Sequence, residues 1–371
     1  MKLTIERSAL LQALGHVQNV VERRNTIPIL SNVQLIADQE GLRLTATDLD
    51  LAMVETVTAA VQQPGGTTAP AHMLHDIVRK LPDGAQVEMD SGAGDGRLSL
   101  RAARSNFALS CLPREDFPVM AEGELPHQFT VKAVDLRRLI EKTRFAISTE
   151  ETRYYLNGIY LHAPAEAQVL RGVATDGHRL AHVEIALPPG AGAMPGIIVP
   201  RKAALEVLKL IEGGDGMVDV ALSDSKIRFT FGAVVLTSKL IDGTFPDYQR
   251  VIPVGNDKIL EVDCKSFSAA VDRVATISSE KSRSVKLAVS GATVVLSANS
   301  PDQGSGTDEV PVTFDGQEPL EIGFNARYLL DITGQIEGEN VRFELSDGAS
   351  PTIIRDAADP DALYVLMPMR V

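Results

Sequence analysis

The segment "GVATDGHRLAHVEI", residues 172–185, places Asp176, His178 and Arg179 beside Gly177. A carboxylate and an imidazole so close could serve acid–base chemistry, or hydrolysis if the histidine held a metal. His178 and His182 lie four apart, a ligand spacing on a helix but too long for easy chelation along a strand. The flanking runs "AQVLRGVA" and "RLAHVEIAL" alternate as strands do, and Asp-Gly between such runs signals a hairpin turn. A near copy, "LTATDLDLAMVETV" at 44–57, spans the same corner without a histidine and, read from its leucine, with one residue fewer. The corner therefore reads as a turn, and an enzyme built on Asp176 and His178 is the weaker reading. The other five histidines are scattered. "GGDG" and "GAGDG" read as helix-end and hairpin turns, not as phosphate-cradling loops. No catalytic residue, metal site or cofactor is expected. A glycine at 177 leaves space where a Cβ would stand. Leu180 and the Arg179 stem can then line a groove, which suggests peptide docking.

Two strands must hold that corner, and the wider sequence shows that they belong to a repeat. Ala46-Thr47-Asp48 recurs as Ala174-Thr175-Asp176, and Phe117-Pro118 as Phe245-Pro246, both at an offset of 128. A fainter third copy completes the set. Each copy opens with an alternating strand and an amphipathic helix, as in "LTIERSALLQALGHV", "FTVKAVDLRRLIEKT" and "LEVDCKSFSAAVDRV". Leu10, Leu136 and Phe267 correspond, as do Leu14, Ile140 and Val271. A second helix and a pair of strands follow. The expected fold class is α+β, with two helices and antiparallel sheets in each copy. The expected domains are 1–121, 128–251 and 256–371, separated by linkers carrying Pro and Gly.

The net charge of −13 argues against a uniformly basic surface. Basic residues nevertheless recur at positions expected to face outward on the helices. His16, Lys142 and Arg273 correspond on the first helix; His72, Lys202 and Arg327 on the second; a further outward position of the second helix reads Arg79, Lys209 and Gly334. Arg138 is expected on the same face as Lys142. This is the pattern of a phosphate-binding stripe that reads no bases, although outward helix faces often carry such residues without any ligand. No apolar run approaches the roughly 20 residues of a membrane span. Cys111 and Cys264 form no spacing motif, so the chain reads as a reduced, cytoplasmic protein.

The motifs together, "MKLTIER", "ATDGHRLA", "RYYLNGIY", "DGTFPDYQRVIP" and the terminal "YVLMPMRV", resemble the β sliding clamp family, processivity subunits of bacterial DNA polymerase III. The loop "SPDQGSGTDE" and the final valine depart mildly from that pattern. The resemblance covers the whole chain and implies a head-to-tail homodimer. Its six domains form a ring whose helices line a channel around double-stranded DNA. Arg24, Tyr154 and Tyr155 match family positions close to DNA. The resemblance also implies a cleft that takes short peptides from the polymerase α subunit, the clamp loader and repair proteins. The matching positions are Leu156, Thr175, Gly177, His178, Arg179 and Leu180, then Pro246, Arg250 and Val251, then Val365, Met367, Pro368, Met369 and Arg370. For the dimer contact it suggests 105–112 against 275–289, with Phe107, Leu109 and Ile277 as apolar contacts. A three-domain protein-binding scaffold without DNA is the alternative.

Overall fold

The structure, a computed structural model, describes residues 1–92, 96–121, 123–278 and 283–370. The chain divides into two compact units. The first comprises Met1–Val134, Pro189–Met194 and Lys202–Leu240, and the second Asp135–Pro188, Pro195–Arg201 and Ile241–Val371. Six helices occur among the described residues: α1 Arg7–Val17, α2 Ala71–Lys80, α3 Ala133–Arg144, α4 Arg201–Leu210, α5 Cys264–Ala275 and α6 Ala326–Thr333. Their apolar stripes are buried as the spacing requires: Leu10 and Leu14 on α1, Leu136 and Ile140 on α3, and Phe267 and Val271 on α5. Side chains cap three of these helices. Glu6 accepts from the Ala9 amide, Asp263 from Ser266, and Asn325 from Arg327 and Tyr328.

All the strand ladders among the described residues are antiparallel. In the first unit a five-stranded sheet ends on Ser105–Ser110, and an eight-stranded sheet carries a seam at its centre. There Val234–Lys239, the last strand of the second repeat, pairs with Leu51–Val57, the fourth strand of the first, matching Leu236 to Met53. In the second unit a nine-stranded sheet contains the same kind of seam. Ala362–Leu366, the last strand of the third repeat, pairs with Arg179–Ala186, the fourth of the second, matching Val365 to Leu180. The repeats thus share sheets, a fusion that internal similarity alone does not disclose. By the same rule, the last strand of the first repeat and the fourth of the third are left at sheet edges: Ser105–Ser110 and Gly304–Pro311.

This order corrects the expected contact region. Ser284–Ser290 is bonded on both sides, to Thr293–Ser300 and to Leu320–Asn325, and so offers no free edge. Residues 279–282 of the expected region lie outside the described residues. Ile277 sits against the open strand instead, with a side-chain carbon 3.1 Å from where a Cβ on Gly306 would be. Phe107 is exposed, but Leu109 is spent in its own core.

The recurring cations are also placed differently from the outward stripe expected of them. Lys142 is buried. Its Nζ donates to the Gln335 carbonyl at 2.8 Å and lies 2.9 Å from Glu337. Arg138 forks onto Asp359 at 2.6 and 2.8 Å. Lys202 binds Glu22 and Asp48, each at 2.6 Å. His16 lies 2.8 Å from Glu55, and Arg273 donates to Asp308 at 2.7 Å. The recurrence therefore records intramolecular ties between helices and neighbouring strands or loops. Helical periodicity gives the direction of a side chain but not what the fold has packed against that direction. Arg138→Ala leaves the Asp359 carboxylate with the Asp361 amide at 3.2 Å and Lys142 at 3.9 Å. The expected cost is about 2 kcal/mol, a charge-assisted pair at a half-buried site. It is read as a lowered urea midpoint.

Candidate functional site

The corner at 175–179 is fixed by its own side chains. Thr175 Oγ1 donates to the Arg179 carbonyl at 2.7 Å, and Asp176 Oδ1 accepts from the amides of His178 and Arg179 at 2.9 and 3.0 Å. Thr47 and Asp48 repeat this at the earlier corner, bonding Leu51 at 2.9 and 2.7 Å. Both turns hold three residues, Asp48–Asp50 and Asp176–His178, which corrects the shorter first turn read from the sequence. Both also carry a left-handed residue, Leu49 at φ 80° and Gly177 at φ 87°. A side chain at 177 would meet more than strain, because its Cβ would lie 2.5 Å from Arg153 Nη1. Asp176 is thus a turn-forming acceptor. The His178 ring lies beside Tyr328, centroids 6.4 Å apart, and its carbonyl accepts the Met367 amide at 2.9 Å.

The turn opens onto a cavity of about 320 Å³. Leu156, Thr175, Gly177, Arg179, Leu180, Pro246, Val251, Val365 and Met367 line it. The floor is apolar, with Leu156, Leu180, Val365, Phe245 and Tyr248 buried together. Val251 and Met367 stand half exposed at the rim. Methionine there can adapt to more than one apolar guest. Five expected residues do not line the cavity. His178 only anchors Met367; Arg250 is exposed and paired with Asp247 at 2.8 Å; Met369 turns away to donate to the Gly323 carbonyl. Pro368 and Arg370 likewise lie outside the lining.

Four lining residues were not assigned to the groove from sequence: Arg153, Tyr155, Asp247 and Tyr248. Tyr155, matched there to a position near DNA, lines this cavity. Asp247 and Tyr248 stand in the quoted "FPDY", directly after Pro246, which was the available signal.

Arg179 serves two purposes. Its stem lines the cavity, while its guanidinium binds Asp331 and the Phe145 carbonyl, each at 2.6 Å, and stacks 4.2 Å from the Tyr328 ring centre. Beneath the floor, Tyr248 Oη accepts from Arg171 Nη1 at 2.8 Å and lies 3.0 Å from His162 Nε2. Arg171 Nε also donates to Glu184 at 2.8 Å, and His182 stands 3.5 Å from the same carboxylate. This layer holds the Tyr248 ring in place.

Burial, reinforced by the Arg171 charge, pushes both His162 and His182 down to about 4. Unfolded histidines titrate near 6.5, so the unfolded chain binds more protons between those values. These two histidines should therefore lower stability as pH drops from about 6.5 to about 4 and add no further slope below. Urea midpoints across that range should show the slope, and His162→Gln should make it shallower.

Comparison with known proteins agrees with this geometry. Models of the N-terminal, central and C-terminal domains of the DNA polymerase III beta subunit match residues 1–121, 130–247 and 249–370. The beta sliding clamp of Caulobacter vibrioides is 57% identical over 373 residues, and that of Escherichia coli 42% over 375, each covering all of both chains. The solved sliding clamp of Bartonella birtlesii bound to griselimycin superposes with a TM-score of 0.96 at 50% identity, also over all of both chains. With all three family domains and full-length relatives matched, the chain belongs to the DNA polymerase III beta-subunit family, the beta sliding clamps.

Proposed function

We propose that two copies of this chain close head to tail into a ring around double-stranded DNA, and that the 320 Å³ groove tethers the polymerase to it. The observation that carries this reading is the pair of open edges. Twice within the chain, the last strand of one repeat pairs with the fourth strand of the preceding one. The same step joining Ser105–Ser110 of one copy to Gly304–Pro311 of another, made twice, closes a symmetric dimer and leaves neither edge open. Phe107 and Ile277 flank those edges as apolar contacts. The working domains are 1–121, 128–251 and 256–371.

For DNA, the exposed cations are Arg24, Arg79, Lys209, Arg273 and Arg327, with Tyr154 exposed beside them in type. Arg138, Lys142 and Lys202 support the scaffold instead. Non-specific duplex contacts of this kind hold with Kd around 10⁻⁴–10⁻⁶ M and weaken with salt. Such contacts are too loose to retain a polymerase but suit a sliding ring, from which departure requires an opened interface or a DNA end. The groove's guests are short peptides of the polymerase α subunit, the clamp loader and repair proteins. The role is non-catalytic and cytoplasmic.

Loaded onto nicked circular DNA, the protein should survive a high-salt wash, and linearising the circle should release it. Equal loss from circle and line would reject encirclement and favour a scaffold that does not enclose DNA. Removing residues 367–371 takes away the Met367 wall. It should weaken binding of a polymerase-derived peptide at least tenfold while sedimentation still reports a dimer; unchanged peptide affinity would contradict the groove assignment.

A further inference from the structure

We propose that the first unit carries a second docking site, at the counterpart of the groove, for a short extended peptide with an acidic side chain beside an apolar one. The inference rests on the repeat geometry and is independent of ring closure.

The two corners share hydrogen bonds and register, Thr47 to Ala52 and Thr175 to Leu180, so positions 128 apart can be compared directly. Phe117 and Pro118 then fall on Phe245 and Pro246, Arg43 on Arg171, Val54 on His182, and Met120 on Tyr248. In the second unit the Tyr248 ring fills the space beside the 242–251 segment, and its hydroxyl takes up Arg171 and His162. In the first unit no phenol does this. The space stays open as a larger hollow of about 500 Å³, walled by Val54, Val235, Phe117, Pro118 and Met120.

Two guanidiniums line this hollow. Arg43 stands 3.6 Å from Asp38 and from Glu40, beyond good hydrogen-bonding distance, and its side chain is 40% exposed. Arg228 has a buried Nε without a partner. A buried donor of this kind is costly until it is satisfied. An apolar hollow lined by two guanidiniums complements a carboxylate next to an apolar side chain. The flanking 117–121 segment and the strands opposite it give the hollow the same walls that make a groove in the second unit, which fits an extended chain.

The test uses the full-length protein and a fluorescein-labelled acetyl-Leu-Asp-Leu-Asp-Leu amide, read by fluorescence anisotropy. Binding should weaken at least tenfold in the double variant R43Q/R228Q and in Thr45→Trp, which fills the hollow from its solvent side. The analogue with Asn for Asp should bind at least tenfold more weakly to the unaltered protein. Thermal unfolding confirms that each variant folds. Absence of binding, or affinity indifferent to both variants, would overturn the proposal. Loss of binding only in Val251→Glu, which obstructs the groove of the second unit, would also overturn it, by locating the probe there.

Discussion

A strand at the edge of a sheet presents unpaired amides and carbonyls that must be met by water, by cover or by another strand. Much of this architecture follows from how the chain meets that constraint. Each repeat ends on a strand that would be an edge if the repeat stood alone. Two of the three are paired with the preceding repeat, at Val234–Lys239 and at Ala362–Leu366. Pairing them builds sheets of eight and nine strands and leaves one donor strand and one acceptor strand over.

The charges serve the same seams. Arg179 leaves the strand that receives Ala362–Leu366 and ties it to α6 through Asp331. Lys142 and Arg138 reach from α3 to the Gln335–Glu337 turn and to Asp359. Lys202 meets the Asp48 corner. An acidic chain thus spends many of its cations internally. Arg79, Arg273 and Arg327 keep exposed side chains, although Arg79 also donates to Asp76 and Arg273 to Asp308.

The groove arises where a corner, a linker and a shared strand converge. Leu180 and Val365 are partners across a seam, and Tyr248 arrives from the linker with its hydroxyl already committed to Arg171. The seam therefore produces the groove as well as the sheet. The same convergence in the first repeat lacks the tyrosine, and a single residue type decides whether the space beneath is filled or open.

The sequence alone determined the repeat, the α+β class, the turn character of Asp176-Gly177-His178 and the buried helix stripes, because each depends on local periodicity or on identity at a fixed offset. It also held most of the groove in its motifs, from Leu156 to Met367. Only the tertiary structure decided which strand of one repeat adds to which of the next, since edge pairing joins residues such as Leu51 and Ser238 that carry no mutual signature. It also decided which cations are buried and tied within the fold. Helical spacing directs Lys142 away from its own core, and only the packing of a distant turn, Gln335–Glu337, shows that this direction is occupied.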